Sequence, residues 1–291
     1  MKPAPFAYHR PDTVAEATSL LAALGEGAKL LAGGQSLVPM MALRLAVFDD
    51  LVDIGGIAEL RGIERRNGSV WIGAGTTEAA VERSPLVAAQ APLVARATPL
   101  IGHFQIRNRG TIGGSLAHAD PAAEYPAVAM ALDAQFDVAS PRGTRTIPAT
   151  EAFTGLWTTA LEPDELLTGV SFPVWSGRCG FAIEEFARRH GDFAIAGAAV
   201  AVELGDDDRI RRGAIALIGM GPTPIRATRA EAEVTGASVR GIEADGLGSD
   251  LVAELDSIPS DLHGSSTYRA RVGAAMVAKA WTAATNEALD A

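Results

Sequence analysis

The sequence has 291 residues, 48% of them hydrophobic, and a formal net charge of −10. A single hydrophobic core rarely serves a chain of this length, so two or three packed units are expected. Acidic and basic residues are interspersed along an overall acidic chain, which excludes an extended DNA or RNA surface and predicts no nucleic-acid partner.

The cysteine content limits the redox chemistry that this chain can hold alone. Its single cysteine, Cys179, excludes an internal disulfide and an iron–sulfur cluster bound only by this chain, since such a cluster typically needs four thiolates. Any redox metal is therefore expected on another chain. The N-terminus lacks an apolar signal segment and no stretch of about 18 apolar residues occurs, so a cytoplasmic protein without membrane insertion is expected.

The first part of the chain is predicted to alternate helix and strand. Apolar residues recur at helical spacing over 13–24, with Asp12 as the N-cap and Gly25 as the terminator. A short apolar strand over 29–32 follows, and helical spacing resumes over 37–45. A glycine pair therefore lies between a strand and a helix.

The middle of the chain continues this alternation. An Asn67-Gly68 pair is typical of a β-hairpin turn, and Asp120-Pro121 is typical of a helix start. Strands are predicted over 51–54, 70–73, 135–139, 145–148 and 167–172, and helices over 77–83, 85–97 and 122–132.

A change of pattern after Pro173 and around Ser176-Gly177 predicts a boundary. Apolar strands are predicted over 196–204 and 210–218, followed by an alanine-rich helix over 267–289. Between them, the polar and glycine-rich stretch 236–249 is predicted to be a mobile connection. The last third is expected to be a separate α+β unit.

Two glycine-rich segments are the candidate ligand sites. We call Ala32–Ser36 the first glycine segment and Thr111–Ser115 the second, which is interpreted as a loop. Glycine pairs let backbone amides converge on an anionic oxygen without a Cβ in the way. Thr111 and Ser115 can donate to a pyrophosphate, and Glu124 can accept from ribose hydroxyls. The segments together therefore predict a dinucleotide site.

Apolar residues near both segments suit a flat ring system. They are Leu31, Ile101, Ile112 and Leu161. Simpler interpretations remain open: each glycine pair is an ordinary turn, Glu124 is a solvated acid in a first helical turn, and His118 is structural instead of a cofactor contact.

Other common site motifs fail on their spacing. Gly73-Ala74-Gly75 has Glu78 where a Rossmann fingerprint needs its third glycine, and Gly219-Met220-Gly221 has Pro224 there. The chain also lacks a phosphate loop ending in Gly-Lys-Ser/Thr, a His-Glu-x-x-His motif and a Gly-x-Ser-x-Gly elbow. NAD-binding, hydrolase and metalloprotease interpretations therefore lack support.

The two glycine segments, together with Ile106–Gly110 between them, resemble the medium, FAD-binding subunit of the carbon monoxide dehydrogenase and xanthine dehydrogenase family. The segments Arg188–Ala194 and Ile218–Arg226 resemble C-terminal segments of the same molybdenum hydroxylase subunits. The resemblance covers nearly the whole chain.

The resemblance implies an α+β protein with an FAD-binding domain of the PCMH type over 1–176, made of two α/β subdomains over about 1–55 and 56–176. A C-terminal α+β domain with an antiparallel sheet would cover 177–291. It also implies partner chains, a large subunit with the molybdenum cofactor and a small subunit with the iron–sulfur clusters, assembled as a dimer of heterotrimers.

The resemblance further implies which residues contact FAD. Glu124 would bind ribose, and Ile101 and Leu161 would flank the cofactor. The residues implied to line the pyrophosphate are Lys29, Leu30, Leu31, Ala32, Gly33, Gly34, Gln35, Ser36, Thr111, Ile112, Gly113, Gly114 and Ser115. No side chain of this chain is expected to act as a catalytic acid or base, since the flavin supplies the redox chemistry.

The sequence departs from the family pattern at three positions. Gln35 stands where the carbon monoxide enzymes tend to have histidine, and Phe193 stands where they tend to have tyrosine beside the flavin. Glu184 replaces a lysine of xanthine dehydrogenase relatives, and a carboxylate there would disfavour an anionic reduced flavin. The organic substrate and the electron acceptor therefore stay open.

The main hypothesis is an FAD subunit that passes electrons from iron–sulfur clusters of a partner to an external acceptor. One alternative is a self-contained flavin-dependent oxidoreductase, which would need its own base near the flavin. The other is a non-enzymatic scaffold whose glycine segments are only turns.

Overall fold

The computed structural model describes residues 2–291 and contains three main sheets that follow one another along the chain. The first is parallel, with the order β1-β3-β2. Its strands and connecting helices are β1 (Ala7–His9), α1 (Val14–Leu24), β2 (Ala28–Leu31), α2 (Leu37–Ala42) and β3 (Asp50–Asp53). Parallel strands need such crossover connections, and here each crossover contains one of the two helices.

The second sheet has five antiparallel strands in the order β4-β5-β10-β6-β7. Its strands are β4 (Ile63–Arg66), β5 (Ser69–Gly73), β6 (Gln135–Ser140), β7 (Gly143–Pro148) and β10 (Leu166–Pro173), and β8 (Phe153–Gly155) and β9 (Thr158–Thr159) form a separate pair. The helices of this region are α3 (Glu78–Glu82), α4 (Pro85–Gln90), α5 (Pro92–Ala97), α6 (Phe104–Arg107), α7 (Ile112–His118), α8 (Glu124–Ala131) and α9 (Ala149–Ala152). The predicted Asn67-Gly68 hairpin turn is confirmed, with positive φ at both residues.

The third sheet is antiparallel, with the order β11-β12-β13-β14. Its strands are β11 (Arg178–Phe186), β12 (Ala196–Leu204), β13 (Ile210–Ile218) and β14 (Ile225–Arg226), and its helices are α10 (Thr228–Val234), α11 (Ala244–Ala253) and α12 (Ser266–Asp290). The predicted mixture of helix and strand with a C-terminal antiparallel sheet is confirmed. Among residues 2–291, none of the helices has the length and apolar character to span a bilayer.

Strand β12 explains how the third sheet joins the rest of the protein. Its Val200 and Val202 pack on one face with Trp281 of α12, while Ala199 and Ala201 lie on the other face. That second face shares one apolar cluster with the helices and strands of the second sheet. Successive side chains of a strand point to opposite faces, so a strand buried on both faces is apolar throughout.

Several predicted boundaries were wrong for local reasons. Thr13, not Asp12, is the N-cap of α1: its side chain accepts from the Glu16 amide at 3.2 Å, and Asp12 N–H donates to the Glu16 carboxylate. The helix predicted over 85–97 is two helices, because Ala91 precedes a proline and leaves the helical region.

Other predictions missed contacts that only the folded chain makes. Helix α8 begins at Glu124 and not at Ala122. The Ala122 amide instead donates to the Asp120 carboxylate at 2.9 Å. The stretch 236–249, predicted to be a mobile connection, contains the start of α11, where Gly248 is buried against α12. Helix α2 ends at Ala42, before the predicted Leu45. Strands β1, β8, β9, β11 and β14 were not predicted, and β4 was indicated only by its hairpin turn.

We predict that Gly180→Ala lowers the free energy of unfolding by about 2 to 3 kcal/mol, as expected for overpacking. A Cβ at Gly180 would lie 2.7 Å from the Ala288 amide and would overlap the Ala284 carbonyl, so α12 must move away from β11. Urea denaturation measures the change. Gly241→Ala, where a Cβ meets open space, is the matched control; equal stability of the two variants would contradict this packing.

Candidate functional site

The first glycine segment offers a run of free backbone donors. It connects β2 to α2, and Gly34 has a φ of 73° that favours glycine. Within residues 2–291, the amides of Gly33, Gly34, Gln35 and Ser36 have no hydrogen-bond partner. The Gln35 side-chain amide donates to the Gly33 carbonyl at 2.9 Å and so holds the turn. Consecutive free amides of this kind suit an anionic oxygen.

The structure brings the two glycine segments together. A Cβ on Gly33 would lie 2.8 Å from the Gly110 Cα and closer still to the Arg109 carbonyl oxygen. A Cβ on Gly114 would lie 3.6 Å from the Cβ of Ala32. Because backbone packs on backbone here, one ligand can reach both segments.

The second glycine segment is the start of helix α7 and not the predicted loop. Thr111 is its N-cap. The amides of Ile112 and Gly113 donate to the Thr76 and Ala74 carbonyls at 3.1 and 2.9 Å, and Gly114 donates to Thr111 Oγ1 at 3.0 Å. These amides are therefore already used, and the segment contributes close approach and hydroxyl groups instead of free amides.

The other predicted residues lie at different depths around the two segments. Ile112 and Gly113 are in the interior, whereas Ser115 is half-buried. Lys29 is exposed, with its ammonium 5.9 Å from the centre of the Phe48 ring. The remaining half-buried residues of the prediction are Leu30, Leu31, Ala32, Ile101 and Leu161.

Glu124 is buried, with a relative exposure of 6%, so its interpretation as a solvated first-turn acid is wrong. Burial raises its pKa to about 8, and the nearby Glu185, Glu78 and Asp120 add to the rise. Glu124 is therefore largely protonated at neutral pH and can donate as well as accept a hydrogen bond.

Two further carboxyl groups near Glu124, the buried Glu78 and the half-buried Glu185, were missed from the sequence. Glu78 is 4% exposed, and its carboxyl group would lie 2.6 Å from a Cβ on Gly110. Burial raises the pKa of Glu78 to about 7, which Arg107 partly opposes, and burial raises the pKa of Glu185 to about 7. One oxygen of each has no partner among the described residues. No sequence signal could have found them, because their burial depends on tertiary packing.

An aromatic pair lies at the end of α7. The His118 ring stacks on Trp157, with ring centres 6.4 Å apart, and the Trp157 indole donates to Asp120 at 3.1 Å. Trp157 has a positive φ, which is unusual for a bulky residue. Burial lowers the pKa of His118, which favours the neutral ring.

The C-terminal segment Arg188–Ala194 returns to the same region. A Cβ on Gly191 would lie 2.9 Å from the His103 ring, and the rings of His103 and His190 are 5.8 Å apart. Phe193 is 60% exposed, so its ring is available to a ligand or partner. The segment between β11 and β12 therefore packs on the loop at Gly102 and His103.

The sequence matches two known domain families. Residues 4–175 match the FAD binding domain in molybdopterin dehydrogenase, and residues 181–284 match the CO dehydrogenase flavoprotein C-terminal domain. The carbon monoxide dehydrogenase medium chain of Hydrogenophaga pseudoflava is 40% identical over 284 residues, or 98% of each chain.

A second relative is the 6-hydroxypseudooxynicotine dehydrogenase complex subunit alpha of Paenarthrobacter nicotinovorans. It is 40% identical over 277 residues, which cover 95% of this chain and 93% of the relative. The solved structure of carbon monoxide dehydrogenase from Hydrogenophaga pseudoflava that lacks the Mo-pyranopterin moiety has a TM-score of 0.95 to this chain, at 40% identity and 99% coverage of both chains. Both relatives are named as parts of larger enzymes.

We predict that Glu124→Gln changes how stability depends on pH. The pKa of Glu124 is raised from its ordinary 4.5 to about 8, so the folded chain binds the proton more tightly and the free energy of unfolding falls as pH rises through this interval. From about pH 5 to pH 8, the stability of the variant relative to the parent should rise by on the order of 3 to 4 kcal/mol.

Urea denaturation at both pH values measures this difference. Glu151→Gln, which makes the same change at an exposed position, is the control. The same pH dependence in Glu124→Gln and the parent would mean that Glu124 does not retain its proton in the folded chain.

Proposed function

The chain belongs to the family of FAD-binding medium subunits of molybdenum hydroxylases, and we propose that it binds FAD and passes electrons from iron–sulfur clusters of a partner subunit to an external acceptor. The observation that carries this proposal is the contact between the two glycine segments, beside four free amides. Nothing in the proposal requires an acid or base from this chain.

The residues present fit FAD. Its pyrophosphate is an anion, and the amides of Gly33 to Ser36 are consecutive donors without a Cβ in the way at two positions. Glu124 is buried and largely protonated, so it adds little negative charge beside a pyrophosphate and can exchange hydrogen bonds with ribose hydroxyls.

We assign the contacts as follows. Residues 29–36 and 111–115 line the pyrophosphate, the first through amides and the second through close approach and the hydroxyls of Thr111 and Ser115. Glu124 binds ribose, and Ile101 and Leu161 flank the cofactor. Ile112 and Gly113 act by fixing α7 against Ala74, since both are buried.

When bound, FAD supplies the redox chemistry. The chain positions the cofactor between its glycine segments, shields it from water with half-buried apolar residues, and holds a proton on the Glu124 carboxyl group. The ring of Phe193 is exposed and so is free to contact the cofactor or a partner chain. Changes in these residues should act through cofactor retention or potential.

The proposed assembly has three kinds of chain. A large subunit with the molybdenum cofactor would oxidise the substrate. A small subunit would hold the iron–sulfur clusters that pass the electrons to this chain, with two such trimers in the complete enzyme. We divide this chain into an FAD-binding domain over 1–176, with subdomains over about 1–55 and 56–176, and a C-terminal domain over 177–291. The change from the second to the third sheet near 177 supports that division.

We predict that Gly33→Ala weakens FAD binding at least about tenfold, or about 1.4 kcal/mol. A Cβ at this position overlaps the Arg109 carbonyl, so the two glycine segments must separate. Titration of the cofactor-free chain with FAD, followed by visible absorption and by identification of the flavin released by acid, gives the dissociation constant.

Gly241→Ala, which places its Cβ in open space, is the control and should bind FAD as the parent does. If Gly33→Ala binds FAD as tightly as the control, the contact between the segments does not form the site. If the parent neither retains nor takes up FAD, even with its partner chains, the proposed function is wrong.

A further inference from the structure

Arg107 lies between the two glycine segments in sequence, and its side chain is nearly buried, with 11% exposed. Its Nε donates to one carboxylate oxygen of Glu82 at 2.9 Å, and its Nη2 donates to the other at 3.2 Å. This two-point pair fixes the plane of the guanidinium group against α3.

The third nitrogen of the same group faces the loop over residues 99–103, which contains Ile101. Arg107 Nη1 lies 3.3, 3.1 and 3.2 Å from the carbonyl oxygens of Pro99, Ile101 and Gly102. Lysine could not serve both sides, because its ammonium is a point charge without a planar fork. Arg107 therefore ties the loop that contains Ile101 to helix α3.

The position of these carbonyls determines where the neighbouring amides point. In a trans peptide the C=O and the following N–H point in opposite directions, and none of the described residues has a cis peptide bond. The amides of Gly102 and His103 are therefore turned away from Arg107. Neither has a hydrogen-bond partner within the described part of the chain.

The loop is also held by the C-terminal domain. Gly102 has a φ of 49°, and a Cβ on Gly191 would lie 3.1 Å from the Gly102 carbonyl carbon. Packing from Gly191 and hydrogen bonds from Arg107 together leave the loop little freedom. A pair of adjacent amides in such a rigid loop is preorganised to bind an acceptor atom.

We propose that Arg107 is a positioning residue of the FAD site, which holds Ile101 in place and directs the amides of Gly102 and His103 to an acceptor atom on the flavin ring. This inference rests on the proposed function. Donors at that position stabilise the electron-rich reduced ring more than the oxidised ring, so Arg107 affects both the affinity for FAD and its reduction potential.

The chain offers a matched control in Arg96. Its guanidinium also makes a two-point pair, with Glu287 at 2.6 Å for both bonds, and also donates to a backbone carbonyl, that of Phe181. Within the described residues, the hydrogen bonds of the Arg96 guanidinium go only to Phe181 and Glu287, and not to the glycine segments or the loop at Ile101. Arg96→Lys therefore removes the same kind of two-point pair and carbonyl hydrogen bond at a position outside the proposed FAD site.

The experiment compares Arg107→Lys, Arg96→Lys and the parent as full-length chains. For each we would measure the thermal midpoint, the FAD dissociation constant and the midpoint potential of the bound flavin. Both variants should lose thermal stability, but only Arg107→Lys should weaken FAD binding, by about tenfold, and make the flavin potential more negative.

Glu82→Gln is a second variant for the case that Arg107→Lys does not fold. It keeps the guanidinium but removes one acceptor oxygen, so it should weaken FAD binding by a smaller factor in the same direction. Parent-like FAD affinity and potential in Arg107→Lys and Glu82→Gln would overturn the inference, as would equal changes in Arg96→Lys. Absence of FAD binding by the parent would instead overturn the proposed function and this inference with it.

Discussion

The backbone of Gly33 lies directly against the Arg109 carbonyl and Gly110, with no room for a side chain between them. The parallel sheet of β1–β3 supplies the first glycine segment, and the second comes from the region of the antiparallel sheet. This backbone contact therefore fixes the distance between two separately built parts of the protein. The position of each proposed cofactor contact depends on it, because a ligand as long as a dinucleotide must meet both segments at once.

The two segments contribute different chemistry despite their similar sequences. The first leaves four amides free, whereas the second uses its amides on Thr76, Ala74 and Thr111. Two buried carboxyl groups, on α3 and α8, and a half-buried one on β11 lie near this region, and all three have raised pKa values. Their partial or complete protonation at neutral pH limits the negative charge that would otherwise repel a pyrophosphate.

Local sequence patterns predicted the parts of the fold that depend on backbone preference and on the spacing of apolar residues. The Asn67-Gly68 turn, the apolar runs of β12 and β13 and the alanine-rich α12 were identified from backbone preference and periodicity alone. The glycine segments were also identified from a local preference, because glycine pairs let backbone amides converge on an anion. The wrong N-cap at Asp12 and the split helix at Ala91 show that the spacing of apolar residues does not determine where a helix begins or ends.

The parts that could not be predicted depend on contacts distant in sequence. Glu78 follows an N-cap threonine and looks like an ordinary first-turn acid; only the packing of Gly110 and Tyr125 around it makes it a buried, partly neutral group. Similarly, the second glycine segment was interpreted as a loop. Its amides pair with Ala74 and Thr76, which precede it by more than thirty residues, so local sequence could not show these bonds. Arg107 belonged to the recognised motif, but its contacts with Glu82 and the loop carbonyls require the folded chain.

The most direct test of the account is anaerobic electron transfer from the partner iron–sulfur subunit to this chain. The small subunit would be reduced with dithionite, freed of excess reductant and mixed with the oxidised, FAD-loaded chain while the visible flavin absorption is followed. The account predicts that the flavin bands bleach in proportion to the reduced clusters added. Flavin that stays oxidised under these conditions, or that an organic substrate reduces without any partner chain, would contradict it.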